Sequence, residues 1–401
     1  MSSANWVCCQ LGGREHYAVP RLHHRRGRLA RLITDLWIPP QSILRHAGSG
    51  VTSRFHPDLA EAKVSAGNCA SLAFELSARV RRRNGWNLMM ARNERFQAYA
   101  VRVLSGMAKP PETSQVVMSY SYAARDIFRW ARRKGWRTVL AQIDPGPPEQ
   151  RILQDLHRSS RLEHDWQPPP ESYWDQWREE CDLADQIVVN SRWSEQALLQ
   201  ENIDPSKITC IPLAYEPPFD RVLSPRRYPE KFSNGRPMRV LFLGQVNLRK
   251  GIEPLLKVTQ MLRAEPVEFT FVGPIQVGVP NEFRAEPRIK FTGHVPHGDT
   301  SGYYDSGDLM IFPTFSDGFG LTQLEAQSWR LPIVASKFCG DVVEDGRNGL
   351  LLPEVSAEAI AAALIKLLKH PEQLKRMSES SFVAEKFSLA HVGKMWNELI
   401  G

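Results

Sequence analysis

Long apolar runs are missing from this chain of 401 residues. Without about 18 consecutive apolar residues, no segment is expected to form a transmembrane helix. The opening stretch MSSANWVCCQLGG has no basic segment followed by an apolar one, so a secretory leader is not expected. Cysteine is sparse. Cys8, Cys9, Cys69, Cys181, Cys210 and Cys339 contain no C-x-x-C spacing, which argues against a disulfide framework and for a reduced, cytoplasmic compartment. Cys8 and Cys9, inside the apolar WVCCQL, read as buried strand thiols. Several motifs are absent as well. No G-x-x-x-x-G-K-[ST] supports a P-loop, and no G-x-S-x-G supports a serine hydrolase. No H-x-x-x-H or D-x-D stands at a strand end, so no metal is expected, and no solenoid repeat is found.

What is present is the composition of an ordinary folded protein, 42% hydrophobic, long enough for two domains. The net charge is +7 and the pI about 9.1, a mild excess that fits an anionic substrate or membrane surface. Two basic runs, HHRRGRLARL and ARVRRRNGW, lie in the first quarter. Each is either a solvated face or a phosphate or membrane contact. No basic and aromatic module of a nucleic-acid-binding type accompanies them, so no nucleic acid is expected.

The segment Glu216 to Met238 holds five prolines and little apolar periodicity, which makes it the expected linker (217–237) between a first domain (1–216) and a second (238–384). Beyond it, strand and helix patterns alternate. RVLFLG, VEFTFVG (267–273), RIKFTGHV (288–295), DLMIFPTF (308–315) and PIVAS are expected strands. IEPLLKVTQMLRA, LTQLEAQSWR and AEAIAAALIKLLKH are expected helices. The first half reads similarly. NWVCCQL, LARLITDLW, SQVVMSY (114–120), RTVLAQID (137–144) and DQIVVNS (185–191) are strands, and AARDIFRWARRKG, YWDQWREECDLA and RWSEQALLQEN are helices. Between about 40 and 110 only ASLAFELSARVRRR has a clear helical pattern. Such alternation predicts an α/β protein of two Rossmann-like, doubly wound domains facing across a cleft.

Ligands of parallel sheets bind at the carboxyl ends of strands, and four motifs fall there. GQVNLRKG places Gly244 at a tight turn and Arg249 and Lys250 before a helix, either a diphosphate site or solvated loop cations. DGFGLTQLEA places Gly318 and Gly320 where backbone amides could approach a ligand, and Leu321 and Thr322 at a helix start. Its two acids, Asp317 and Glu325, either accept hydroxyl hydrogen bonds from a polyol or serve as a helix-dipole partner and an exposed helix residue. FTGHV could offer a shelf for a base, or be a core strand with a turn. LGGREHY puts Gly12 and Gly13 after the first strand, half of a nucleotide-binding turn that lacks the rest of a dinucleotide fingerprint.

Together these motifs resemble the retaining nucleotide-sugar glycosyltransferases of the GT-B fold, glycosyltransferase family 4. The family's E-G-F-G-L-x-x-L-E-A signature is matched by DGFGLTQLEA, followed by LPIVAS, with FVGP, FTGHV and GDVVEDGRNGLLLP in family order. LADQIVVNSRWSEQALLQENIDPSKITCIPLAYEP is similar to the family's last first-domain strand, helix and connector. The resemblance implies that Glu325 holds the ribose hydroxyls, Asp317 faces the donor sugar, and Lys250 neutralises the leaving diphosphate. It further implies that backbone at Gly318, Phe319, Gly320, Leu321 and Thr322 lines sugar and phosphates, and that His294 and Val295 border the base. Three positions depart from the family pattern. Asp317 stands for the usual Glu, Gln245 for the usual Arg after Gly244, and Asp144 for a histidine at a first-domain strand end. Arg249 is the expected replacement cation.

The expectation is therefore a metal-independent, retaining glycosyltransferase that moves a sugar from a nucleoside diphosphate sugar to a saccharide or lipid-linked acceptor, in glycan, polysaccharide or glycolipid synthesis. It would be cytoplasmic, with peripheral contact to the inner membrane face through its basic segments. The final segment, about 385–401, is expected to pack back on the first domain. The rival readings are a non-catalytic nucleotide-sugar-binding partner subunit and an epimerase or phosphorylase on the same fold.

Overall fold

The computed structural model describes residues 5–44, 54–107, 115–217 and 223–400. Ser114 of the expected third first-domain strand, residues 218–222 of the linker and Gly401 lie outside the described residues. The first sheet comprises β1 (Asn5–Gln10), β2 (Leu29–Thr34), β3 (Val64–Ala66), β4 (Gln115–Tyr120), β5 (Arg137–Ala141), β6 (Gln186–Val189) and β7 (Ile208–Cys210). The second comprises β8 (Met238–Leu243), β9 (Val267–Val272), β10 (Ile289–Phe291), β11 (Leu309–Phe312), β12 (Ile333–Ala335) and β13 (Gly349–Leu351). Their orders are β3-β2-β1-β4-β5-β6-β7 and β10-β9-β8-β11-β12-β13. Every pairing between these strands is parallel.

A parallel sheet covered by helices on both faces buries most of its side chains, and the central strands β1, β4 and β11 do so almost completely. In β1, Val7 and Cys9 enter one core with Phe128 and Trp177, while Trp6 and Cys8 enter another with Met118 and Trp396. Burial pushes the Cys8 and Cys9 thiols well up, so both are inert fillers. In the second domain, β11 divides Leu309 and Ile311 from Met310 and Phe312 in the same way. The expected strand RIKFTGHV is shorter than its pattern. It leaves the sheet after Phe291, with Gly293 in a left-handed conformation, so His294 and Val295 lie on a loop.

The helix Leu389–Glu398 packs on the first domain. Leu389, Val392 and Trp396 complete the core that holds Trp6 and Leu22. Arg26 donates to the carbonyls of Gly393 and Ala390, and Arg28 to Asn397. His23 stacks on Trp6 at 4.1 Å, and burial, then Arg26 and Arg28, hold it neutral by pushing its pKa well down. Arg21 and Arg25 are bound to Asp58 and Glu216. The first basic run is thus largely absorbed into structure.

Candidate active site

In each sheet the strand order reverses once, between β1 and β4 and between β8 and β11. Loops that leave such a switch point diverge and open a crevice at the carboxyl ends of the strands. Here the two sets of strand ends face each other across the domain interface, and most of the residues singled out in the sequence lie on these loops.

After β8 the chain makes a short 3₁₀ turn, Leu248–Lys250. Asn247 caps it by accepting from the Lys250 amide at 3.0 Å. The turn is fastened to the end of β11, where Phe315 N and Thr314 Oγ1 donate to the Arg249 carbonyl at 2.8 and 3.1 Å. This docking brings Lys250 against Asp317, and the two form an ion pair. Lys250 Nζ also sits 4.6 Å from the Phe312 ring centre. Arg249 Nη1 donates to the Ser316 carbonyl at 3.0 Å and lies 3.7 Å from both Asp317 Oδ1 and Glu149 Oε2. Both cations are largely buried, so the reading of them as solvated loop charges does not hold.

Burial pushes Lys250 down, against the pull of Asp317. Burial would raise Asp317, but Lys250, Arg249 and the Phe319 amide outweigh it and hold the carboxylate below its usual range. Across the interface, burial raises Glu149 to about 7, although Arg249 opposes the shift.

Asp144 follows β5. It accepts from Tyr122 Oη at 2.5 Å, from the Gly146 amide at 2.9 Å and from Gln142 Nε2 at 3.3 Å. Burial raises its pKa, with Tyr122, Gly146, Arg249 and Arg14 acting in the opposite direction. Tyr122 has a left-handed backbone, φ 74°. Its amide donates at 2.6 Å to Glu180, a buried carboxylate that also accepts from the Ala124 amide at 2.7 Å. A strained residue held by a dedicated acceptor is a placed residue.

The glycines of DGFGLTQLEA have reasons in packing. A Cβ on Gly318 would overlap the carbonyl oxygen of Ile143, in the first domain, and the Gly318 carbonyl accepts from Ser191 Oγ at 2.6 Å. Gly320 has φ +81°, and a Cβ there would run into the Phe312 ring. Phe319 is buried with Tyr215 and Phe387, so only its backbone is available to a ligand. Leu321 and Thr322 are half-buried at the start of the helix Thr322–Ser328. Glu325 is buried, not the exposed helix residue that was its alternative, and accepts from Tyr304 Oη at 2.5 Å.

The remaining residues stand farther apart. Gly244 follows β8, while Gln245 is exposed beside Asn247. His294 is exposed, and Val295 is half-buried beside Leu241 and Met310. The Gly12 amide donates to Asp35 at 2.9 Å, which Arg54 approaches at 3.1 Å. Gly13 precedes the turn Arg14–Tyr17, where Glu15, His16 and Tyr17 are all left-handed. Asp317, Lys250, Arg249 and Asp144 are therefore brought into one electrostatic cluster. Among the described residues, no group of three His, Cys, Asp or Glu side chains is arranged to hold a metal ion.

Sequence reasoning missed Glu149, Tyr122, Glu180 and Ser191. Glu149 had a usable signal. Gly146-Pro147-Pro148-Glu149 is a helix start with proline at the first positions, and the helix Pro147–Ser159 follows.

Two such domains with their strand ends opposed define the GT-B architecture. Solved structures of that architecture align over nearly the whole chain. HepE of Anabaena, solved with UDP, has a TM-score of 0.63 at 14% identity and covers 99% of each chain. The catalytic domain of starch synthase IV of Arabidopsis thaliana, solved with ADP and acarbose, has a TM-score of 0.65 at 12% identity, covering 99% of this chain and 98% of that one. Residues 237–370 match the family Glycosyl transferases group 1. Among curated relatives, the D-inositol 3-phosphate glycosyltransferase of Corynebacterium glutamicum (strain R) is 29% identical over 248 residues, 55% of this chain and 58% of that protein. The alpha-D-kanosaminyltransferase of Streptomyces kanamyceticus is 28% identical over 165 residues, 38% of this chain and 43% of that protein. The chain thus spans about half the length of these two relatives.

Proposed function

We propose that this protein is a retaining glycosyltransferase that moves a sugar from a nucleoside diphosphate sugar to an acceptor hydroxyl without the help of a metal ion. The observation that carries this reading is the pair of buried cations, Arg249 and Lys250, fixed at the switch point of the second sheet. Breaking a glycosyl–phosphate bond builds negative charge on the leaving diphosphate. Preorganised cations in a desolvated site stabilise that charge more than they stabilise the ground state. Residues 237–370 carry the group 1 glycosyltransferase match, and the neighbouring folds include proteins solved with UDP and ADP. Both support a nucleotide donor.

On this reading Lys250 and Arg249 turn from Asp317 and Glu149 toward the diphosphate as it enters. Asp317, released, faces the sugar hydroxyls. Glu325 holds the ribose, with Tyr304 fixing its carboxylate. The amides of Leu321 and Thr322 line the phosphates, and His294 and Val295 flank the base. Asp144, held by Tyr122, stands on the acceptor side. The acceptor is a saccharide or a lipid-linked saccharide, reached from the cytoplasm.

A thermal-shift screen with UDP-, GDP-, ADP- and TDP-sugars identifies the donor. Release of nucleoside diphosphate is then measured with and without an acceptor extract. Acceptor-dependent release is expected, lost in Lys250→Ala and reduced in Glu325→Ala. Donor binding with no turnover under any acceptor would make the protein a binding subunit. Unchanged turnover in both variants would refute the site.

A further inference from the structure

The second basic run has a different fate from the first. It forms the exposed tip of a helical hairpin made by the helices Asn68–Val80 and Gly85–Ser105. Residues 79–85, including Arg79, Arg81, Arg82 and Arg83, are all exposed. Arg82 has φ 48°, which turns the chain sharply between the helices. Among the described residues, none of Arg81, Arg82 and Arg83 forms an ion pair within 4.0 Å. Beside them stand exposed apolar side chains. Leu76 is 62% exposed and Val80 is 83% exposed, one helical turn apart, and Met89 is exposed near the start of the second helix.

Cations and bare aliphatic side chains at one tip complement a surface that is anionic outside and apolar beneath. Arginine heads bind phosphates while the aliphatic groups enter the acyl boundary. A single-stranded nucleic acid would be gripped by stacking its bases on exposed rings. The nearby Trp86 is not free for that, since its Nε1 donates to the Gln167 carbonyl at 2.9 Å and its ring packs 4.9 Å from Tyr173. The same rings tie the hairpin to the site. Tyr173 stacks on Tyr122 at 4.8 Å, and Tyr122 holds Asp144.

We propose that the tip of this hairpin, Leu76, Val80 and Met89 with Arg79 and Arg81–Arg83, docks on an anionic lipid bilayer. Docking there turns the acceptor side of the interface toward the membrane. Only that orientation rests on the proposed reaction; the docking itself does not.

The test is co-sedimentation of the full chain with vesicles of phosphatidylcholine alone and of phosphatidylcholine with phosphatidylglycerol. Binding to the anionic vesicles only is expected, weakened by salt. Joint neutralisation of Arg81, Arg82 and Arg83 to Gln should reduce the partition coefficient on the order of a hundredfold, about fivefold per arginine. Leu76→Ser with Val80→Ser should reduce it about tenfold while leaving donor-induced thermal shifts unchanged. These side chains are exposed, so both variants should keep the wild-type melting temperature. No binding at any salt, or equal binding by wild type and both variants, overturns the proposal. Tight binding of single-stranded RNA that the Leu76 and Val80 changes leave intact would also overturn it, in favour of a nucleic-acid surface.

Discussion

Lys250 and Asp317 were assigned by resemblance to different parts of one donor, yet the structure joins them to each other. The pairing has a physical reason. A lysine at that depth loses hydration, and an adjacent carboxylate keeps it charged. Lys250→Ala should lower kcat about 10²–10³-fold, the scale of losing one preorganised group on a leaving anion. Acceptor-dependent diphosphate release measures it. Asp317→Asn should act differently. It removes the partner that holds up the Lys250 pKa, already pushed down by burial. Lysine must be protonated to serve the diphosphate, so the alkaline limb of the pH–rate profile should move to lower pH in this variant.

At the level of elements, the domain contact and the caps decide where the site stands. Gly318→Ala would force its Cβ into the Ile143 carbonyl across the interface. The expected result is impaired closure, with kcat reduced about 10²-fold and donor-induced thermal shift retained. Glu180→Gln should destabilise the protein by about 1–3 kcal/mol, because one amide oxygen replaces two carboxylate oxygens that serve buried backbone donors. Urea unfolding checks this. How far elements were legible depended on their side chains. β11 is a continuous apolar run and β8 is one apart from Arg239, each too short for a helix and bounded by Gly or Pro, which favours a strand. The helix Gly85–Ser105 escaped notice because it buries Asn93 and Gln97 along with Phe96, Ala100 and Leu104. Gln97 accepts from the Asp126 amide at 2.8 Å, so a buried polar residue interrupts the apolar period for a tertiary reason. Asp317, Glu325 and Lys250 were legible as a motif. Glu149 and Tyr122 belong to the cluster only through the meeting of separate loops, which no local spacing encodes.

At the level of the whole molecule, three carboxyl groups share a direction. Burial raises Glu15, Glu149 and Glu180 each from 4.5 to about 7. Between these values the unfolded chain has released protons that the folded chain still holds. Stability from these groups is thus present below pH about 4.5 and lost as pH rises through about 7, at no more than about 1.4 kcal/mol per pH unit for each. Glu149→Gln should make the fall of Tm across that window shallower, as followed by thermal denaturation. The helix Leu389–Glu398 is equally a property of the whole. Trp396→Ala should destabilise the first domain by about 3–5 kcal/mol, although it lies far away in sequence.

That helix also bears on the order of events during translation. The face of β1 that holds Trp6 and the pocket beside Leu22 leave the ribosome before the residues that cover them. Their lid, Leu389 to Trp396, is made only after the whole of the second sheet. At about 5–20 residues per second, an open aromatic surface therefore waits for tens of seconds before its cover is made. During that interval the first domain is a natural client for a chaperone, and the second domain, whose main core closes within its own sequence apart from a few linker and first-domain side chains, can finish before it.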